Sequence, residues 1–562
     1  MVMQLITADT LIDTEQHFKV VAGPGAGKTR FLVNHMKNVL KNSGRLSVNK
    51  RIACITYTNV GVDTLLDRVK DEKDHIEIST IHGFLFTHIV KPYLFLLADK
   101  FGINPAKFDS PFEHIFAKGY FIKTDLPKRY VSENEMRKKI YWELDGDDCV
   151  LRIRDKQNIY HKSLLKYKSS FWEKGIMHYD DILAFAWVII NTDENILRII
   201  RAKFPYFFID EFQDTSPIQT AIVKEISKKE TIIGVIGDEA QSIYSFQGAS
   251  MKQFIDFKLP AISEYVIKDN YRSTKEILDV LKIMRGDLKQ VNPKNKIGLL
   301  PKILIGDSIK ALDECENIFG EKKVVSLSYM VPTANAMRKR INVDSPANKV
   351  IEELFSSDGD RNRKKIMISV IKSLEYARQA LFNDAIKELS HHFKMQDEYK
   401  GQKSALVLIK SFLNLYEDII QENLWSLYQK VLASTLVTFT PIRENKKGNP
   451  SKVETFYKNT QYKELALTIR LIKDESIHRT IHKAKGDEFD NVLVIVKGQY
   501  GNKYKEERDL SFLLSPDLIN LEEHRVYYVA CSRAKENLII NLPEMTKEVN
   551  DKLKVYFDIS SV

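Results

Sequence analysis

The sequence predicts an α/β protein with two helical insertions, and three observations carry that prediction. A strand, a glycine-rich turn and a helix succeed one another between Val20 and Leu40. Further apolar strands recur along the chain and end in polar clusters, the place where open α/β sheets put ligand contacts. The stretches at about 91–172 and 342–474 lose the strand–helix alternation; they read as mostly helical. A chain of 562 residues exceeds a single core and implies roughly three to four domains.

The first element is the most specific. Val20 and Val21 close an apolar strand. Ala22, Gly23, Pro24, Gly25, Ala26, Gly27, Lys28 and Thr29 follow, and then Phe31, Leu32, Val33 and Met36 recur at helical spacing. The glycines let backbone N–H groups approach phosphate oxygens, and the helix N-terminus adds partial positive charge. In this setting Lys28 would reach the outer phosphates of a nucleotide, and Thr29 would place its hydroxyl on Mg²⁺. Ala22 stands where the general phosphate-loop pattern has glycine. The bland alternative, a chance glycine-rich turn, leaves Gly-Lys-Thr at the head of a helix without a reason.

Next, Ile52–Ile55 reads as a strand ending in Thr56, Tyr57, Thr58 and Asn59, with a helix (Val62, Leu65, Leu66, Val69) behind it. Ile76–Ser79 ends in Thr80, Ile81, His82, Gly83 and Phe84. Either cluster alone reads equally well as an ordinary strand terminus. Phe204–Ile209 is a buried strand that runs into Asp210, Glu211, Phe212, Gln213 and Asp214. Adjacent acids there suit a nucleotide hydrolase: one carboxylate holds Mg²⁺ and the next orients or deprotonates water. The competing reading is a pair of solvated acids. Thr231–Gly237 is another strand, and Gln241 after it is a candidate sensor of the terminal phosphate. Tyr244 and Phe246 offer ring faces to bases, though aromatic pairs also serve as core.

Asn270, Tyr271, Arg272 and Ser273 form the next polar cluster, and Lys323–Leu327 a further strand. After the second helical stretch the strand pattern returns at Ile477–Gly486 and Val492–Val496; Thr480–Phe489 carries His482 and Glu488, and Tyr528–Lys535 carries Arg533. His391 and His392 stand without partner ligands and read as surface residues.

Composition narrows the class. Apolar residues make up 44% and charged residues 28%, as in ordinary globular proteins. No run reads as a membrane span, no membrane partner is expected, and Ile182–Ile190 reads as a buried helix. Four scattered cysteines imply reduced thiols, a cytoplasmic location and no iron–sulfur cluster. A net charge of +10 is compatible with nucleic acid. In the first helical stretch Tyr120, Phe121, Tyr130, Tyr141 and Trp142 interleave with Lys128, Arg129, Arg137, Lys138 and Lys139, which suggests a basic face.

These stretches together resemble, motif by motif and in order, the UvrD/Rep/PcrA family of superfamily 1A DNA helicases. Ala22–Thr29 matches its motif I, Asp210–Asp214 motif II, Gly237–Gly248 motif III and Asn270–Ser273 motif IV. Thr56–Asn59 resembles motif Ia, Thr80–Phe84 Ib, His178–Asp181 the Asp-Phe-Asp-Asp stretch, Thr480–Phe489 motif V and Tyr528–Lys535 motif VI. The resemblance implies two RecA-like P-loop domains, parallel sheets flanked by helices, each interrupted by a helical insertion. Domain 1A would comprise 1–92 and 172–262, insertion 1B 93–171, domain 2A 263–345 and 472–562, and a reduced insertion 2B 346–471.

The resemblance also implies roles. Lys28 and Thr29 would bind phosphate and Mg²⁺, Asp210 would hold the metal, and Glu211 would be the catalytic base. Gln241 would contact the γ-phosphate. Arg30 and Tyr271 would flank adenine, and Glu488 would contact ribose. Arg272 and Arg533 would be arginine fingers from domain 2A, each worth about 10³–10⁵ in rate. Tyr57, Thr58, His82, Tyr244, Phe246 and His482 would line the DNA track. Phe246 replaces the usual Trp, Gln247 the usual Arg, Val60 a common Lys and Asp487 a common Leu. The family's glutamine motif has only Gln4 as a candidate, since Gln16 stands too near the loop.

The implied activity is ATP-dependent translocation on single-stranded DNA and 3′–5′ unwinding of tailed duplexes. The alternative is an ATP-hydrolysing DNA or nucleotide sensor with little unwinding of its own. The compact length resembles the helicase subunit of Gabija-type antiphage systems, which partners an OLD-family endonuclease. The short stretch after Arg533 has no room for a nuclease, so any DNA cutting is expected to need that partner.

Overall fold

The computed structural model describes residues 3–108, 140–153, 161–343, 349–393, 398–434, 439–444, 449–471, 476–499 and 502–562. Its strands are β1 (Gln4–Ile6), β2 (Phe18–Ala22), β3 (Ile52–Thr56), β4 (Ile76–Thr80), β5 (Ile140–Asp145), β6 (Asp148–Ile153), β7 (Tyr206–Ile209), β8 (Ile232–Gly237), β9 (Ser263–Ile267), β10 (Lys302–Ile305), β11 (Val324–Ser328), β12 (His478–Thr480), β13 (Phe489–Ile495), β14 (Ala534–Leu542) and β15 (Asp558–Ser561). The chain is α/β, with two parallel sheets flanked by helices.

The first unit comprises Met1–Leu278, Arg285–Lys296 and Asp517–Tyr528. Its sheet runs β1-β9-β2-β8-β7-β3-β4, all parallel. β2, β3, β7 and β8 are buried along their whole length, which explains their continuous apolar runs. Because the pairing is parallel, the phosphate loop after β2 and the polar clusters after β3, β7 and β8 emerge at one edge. One core layer packs Phe31, Leu32 and Met36 of the helix Lys28–Asn42 on Phe18 and Phe208. The opposite layer contains Ile182–Ile190, buried as its composition suggests.

Three sequence expectations need correction here. The helical run Ile81–Phe101 is long and apolar enough by composition to cross a membrane. In the fold its Phe84, Leu85, Phe86, Ile89, Val90 and Leu94 join the core layer beneath the sheet. The expected insertion at 93–171 is not wholly helical. β5 and β6 form an antiparallel hairpin in which Asp145 faces Asp148 across the turn residues Gly146 and Asp147, and Gly146 has φ 61°. Ile140 and Trp142, then Cys149, Leu151 and Ile153, alternate inward, a period of two hidden within charged surroundings. Finally, residues from 263 onward do not open the second domain: β9 pairs with both β1 and β2 in the first sheet. Tyr120, Phe121, Tyr130 and the basic residues from Lys128 to Lys139 lie outside the described residues.

The second unit comprises Asp279–Met284, Ile297–Pro516 and Val529–Val562. Its parallel sheet runs β12-β11-β13-β14-β10-β15. Helices between Lys349 and Thr468 interrupt it and carry a core of their own, including Ile366, Leu374, Leu408, Tyr428 and Tyr457.

Candidate nucleotide site and nucleic-acid surface

β2 delivers the chain directly into the glycine-rich loop. Gly25 and Gly27 have φ of 68° and 84°, a region that costs any other residue strain, and Gly27 heads the helix Lys28–Asn42. Gly25 also lacks room: a Cβ there would lie 2.7 Å from Cβ of Arg272 and from Oδ1 of Asn270. Asn270 Nδ2 donates to the Pro24 carbonyl at 2.8 Å, and its Oδ1 accepts the N–H groups of Arg272 and Ser273, both at 2.9 Å. Tyr271 N donates to the Gly25 carbonyl at 2.9 Å. Gln290 Nε2 adds a second donor to Pro24 O at 3.0 Å. No motif singles out Gln290; only the folded chain brings it to the loop.

These bonds move Arg272. The family resemblance assigns it to the second lobe, but it lies in the first unit, because β9 joins the first sheet and Asn270 fastens the following turn to the phosphate loop. Arg533 does belong to the second unit. It is buried there and donates from Nε to the Val529 carbonyl at 3.1 Å and from Nη1 to the Asp487 carbonyl at 3.2 Å.

The acids follow β7. Asp210 N donates to Ile55 O at 2.8 Å, and Glu211 N donates to Asp210 Oδ1 at 2.9 Å. Glu211 holds φ 53°, a left-handed conformation that non-glycine residues adopt mainly where surrounding structure or function demands it. Lys28 Nζ lies 3.6 Å from Glu211 Oε1 and 3.5 Å from the Ala22 carbonyl. Burial, and then the neighbouring Glu211 charge, push the Asp210 carboxyl up to about 7. Two crowded carboxylates and the Thr29 hydroxyl at the helix head are hard oxygen donors. The charge of a divalent cation would favour the ionised form of Asp210 against that burial and repulsion, so the residues present fit Mg²⁺.

Gln213, fully buried, ties this strand end to the next. Its Nε2 donates to Glu211 Oε2, and its Oε1 accepts Asp238 N at 3.0 Å. Gln241 Nε2 donates to Asp238 Oδ2 at 2.6 Å. On the exposed side of the loop Arg30 pairs with Asp9 through two bonds, Nε–Oδ1 at 2.7 Å and Nη2–Oδ2 at 2.8 Å, and Asn34 Nδ2 donates to Asp9 Oδ1 at 3.1 Å. Tyr271 is partly exposed and donates its hydroxyl to Asp269 at 3.0 Å. Gln4 sits exposed in the edge strand β1, and Gln16 accepts a bond from Ser263. Neither glutamine is shown against Arg30.

A second surface gathers the aromatic residues. Tyr57 and Tyr244 stack with centroids 5.2 Å apart and planes 17° from parallel. Phe246 meets Tyr244 edge-on at 6.0 Å and is 55% exposed. His82 meets the ring of Tyr179 edge-on at 5.1 Å; burial pushes its imidazole down to about 4. Tyr179 is itself exposed and was not among the residues the sequence singled out for this surface. Thr58 also acts locally, since its hydroxyl accepts Gly61 N at 3.1 Å and caps the helix Asn59–Arg68. His482 and Glu488 lie in the second unit, where His482 meets Tyr329 edge-on at 6.1 Å and Glu488 is exposed.

The UvrD/REP helicase N-terminal domain family matches residues 7–261, and the UvrD-like helicase C-terminal domain family matches residues 361–544. Gabija protein GajB of Bacillus cereus (strain HuB5-5) is 23% identical over 97% of this chain and 96% of its own length. The ATP-dependent DNA helicase PcrA of Staphylococcus aureus is 23% identical over 94% of this chain and 81% of its own. PcrA of Bacillus subtilis is 27% identical over 50% of this chain and 39% of its own.

Proposed function

The chain belongs to the UvrD-like helicases, and on that premise we propose that it hydrolyses ATP to move along single-stranded DNA and to unwind duplexes from 3′ to 5′. The observation that carries the ATPase half is Lys28 Nζ at 3.6 Å from Glu211, beside the buried Asp210 and under the glycine loop. The loop N–H groups and Lys28 would hold the phosphates. Thr29 and Asp210 would hold Mg²⁺, whose charge would offset that of the phosphates. Glu211 would accept the proton of the attacking water, and Gln241 would register the terminal phosphate. Arg272, beside Gly25, and Arg533, by family resemblance, are assigned to charge that develops on the transferred group.

The Tyr57–Tyr244 stack with exposed Phe246 supports the DNA half. Stacking contributes about 1–3 kcal/mol per base, while opening a base-pair step costs about 1.4 kcal/mol. One ring face that captures a released base therefore offsets much of one step.

The likeness to GajB over nearly the full length of both chains favours a second reading: a Gabija-type subunit whose ATP turnover regulates a partner nuclease, with little unwinding. One experiment separates them. Purified protein is assayed for ATP turnover with and without single-stranded DNA, and for strand separation on 3′- and 5′-tailed duplexes. DNA-stimulated turnover with unwinding of the 3′-tailed substrate supports the helicase. Turnover without strand separation supports the regulatory subunit, and a pull-down then tests for the nuclease.

A further inference from the structure

Arg285 lies in a stretch that no motif claims, yet its guanidinium is almost wholly buried and gathers partners from several parts of the first unit. Nη1 donates to Asp238 Oδ1, Nη2 to Glu239 Oε1 at 2.7 Å, and Nε to Asp287 Oδ1 at 3.1 Å. The guanidinium also lies 5.9 Å from the ring centre of Tyr528.

Asp238 is the hinge of this arrangement. Its Oδ1 accepts both Arg285 and the N–H of Ala240 at 3.2 Å, and its Oδ2 accepts Gln241 Nε2 at 2.6 Å. A carboxylate can only accept. Asp238 Oδ2 therefore draws the nitrogen of the Gln241 amide and turns the amide oxygen away. Arg285 holds Oδ1 of this fully buried carboxylate and so fixes its rotation, which keeps Oδ2 on the Gln241 amide nitrogen.

We propose that Arg285 is a positioning residue for ATP hydrolysis, holding Asp238 so that Asp238 holds the Gln241 amide in one orientation. This rests on the ATPase reading above. Its effect passes through Gln241 and not through the phosphate loop, so it governs turnover and not nucleotide affinity.

The test is ATP turnover, with magnesium and single-stranded DNA, for wild type, R285M, Q241A and the double variant, each with its melting temperature. R285M should lower kcat on the order of 10²-fold with KM for ATP unchanged, as for a misplaced catalytic group. The double variant should be no slower than Q241A alone. Wild-type kcat in folded R285M, a parallel rise in KM, or losses that multiply in the double variant would overturn the proposal. If R285M does not fold, R285K carries the test: it keeps the charge but cannot span the carboxylates, so kcat should fall with KM unchanged, and wild-type kcat overturns the idea. A wild-type protein without ATPase activity overturns the parent reading as well; an active wild type with a normal Arg285 variant overturns this one alone.

Discussion

Asn270 donates its side-chain amide to the carbonyl of Pro24 at 2.8 Å, and through that bond the segment carrying Arg272 becomes a wall of the phosphate loop. Asn270→Ala removes the donor and the acceptor that orders the Arg272 and Ser273 N–H groups. The Pro24 carbonyl keeps Gln290 Nε2, but leaving the Arg272 and Ser273 N–H groups unmatched costs about 1–3 kcal/mol. If about 1.4 kcal/mol of that falls on loop order, ATP binding weakens about tenfold. Titration with a fluorescent ATP analogue measures this, and unchanged affinity in a folded variant would refute the buttress.

Lys28 and Glu211 face each other at 3.6 Å, so each can be removed alone. Lys28→Ala and Glu211→Gln should both abolish ATP turnover, the second by about 10²–10⁴-fold if Glu211 acts as general base. Single-stranded DNA binding should survive in both, because the aromatic surface draws on other side chains. Normal turnover in either variant would remove the site assignment.

The stacked pair Tyr57–Tyr244 makes a separable prediction. Tyr244→Ala should weaken single-strand binding by about 1–3 kcal/mol while ATP affinity holds. Fluorescence anisotropy with labelled oligonucleotide, repeated across salt concentrations, checks both halves. The logarithm of the affinity should fall linearly with log salt as phosphate contacts release counterions. An equal loss of DNA and ATP binding would mean that the pair is core.

What could be read before folding was whatever is contiguous. The loop Ala22–Thr29 and the acids Asp210–Glu211 announce themselves because strand, turn and helix adjoin in sequence, and the structure brings Lys28 to Glu211. Sheet membership is different in kind. β9 is five residues long, and nothing within Ser263–Ile267 says that its partners are β1 and β2. That one pairing moves Arg272 from the second lobe to the first. Gln290 and Asp9 reach the loop by contacts across the fold, so no local pattern marks them. Thr58 was legible in another way: a threonine before a helix is a cap, and the capping role competes with the DNA role assigned by resemblance.

The helix that follows the phosphate loop contains an acid-sensitive residue. His35 is 2% exposed, lies parallel to Phe31 and meets Phe18 edge-on at 4.8 Å. Neither ring nitrogen has a hydrogen-bond partner among the described residues. Burial pushes its pKa down from 6.5 to about 4. Well above pH 6.5 the ring is neutral in both folded and unfolded chains and leaves stability untouched. As pH falls further, the unfolded chain binds a proton that the folded chain refuses, so stability declines until the folded ring also titrates near about 4. The full decline is about 3 kcal/mol, from the size of the shift and about 1.4 kcal/mol per pH unit. His35→Leu keeps a similar apolar volume and removes the titration. Urea unfolding of the first unit, compared at neutral pH and near the lower limit of that window, should show the variant gaining relative to wild type as pH drops. Parallel pH dependences for the two proteins would show that the ring is protonated or hydrated in the folded chain.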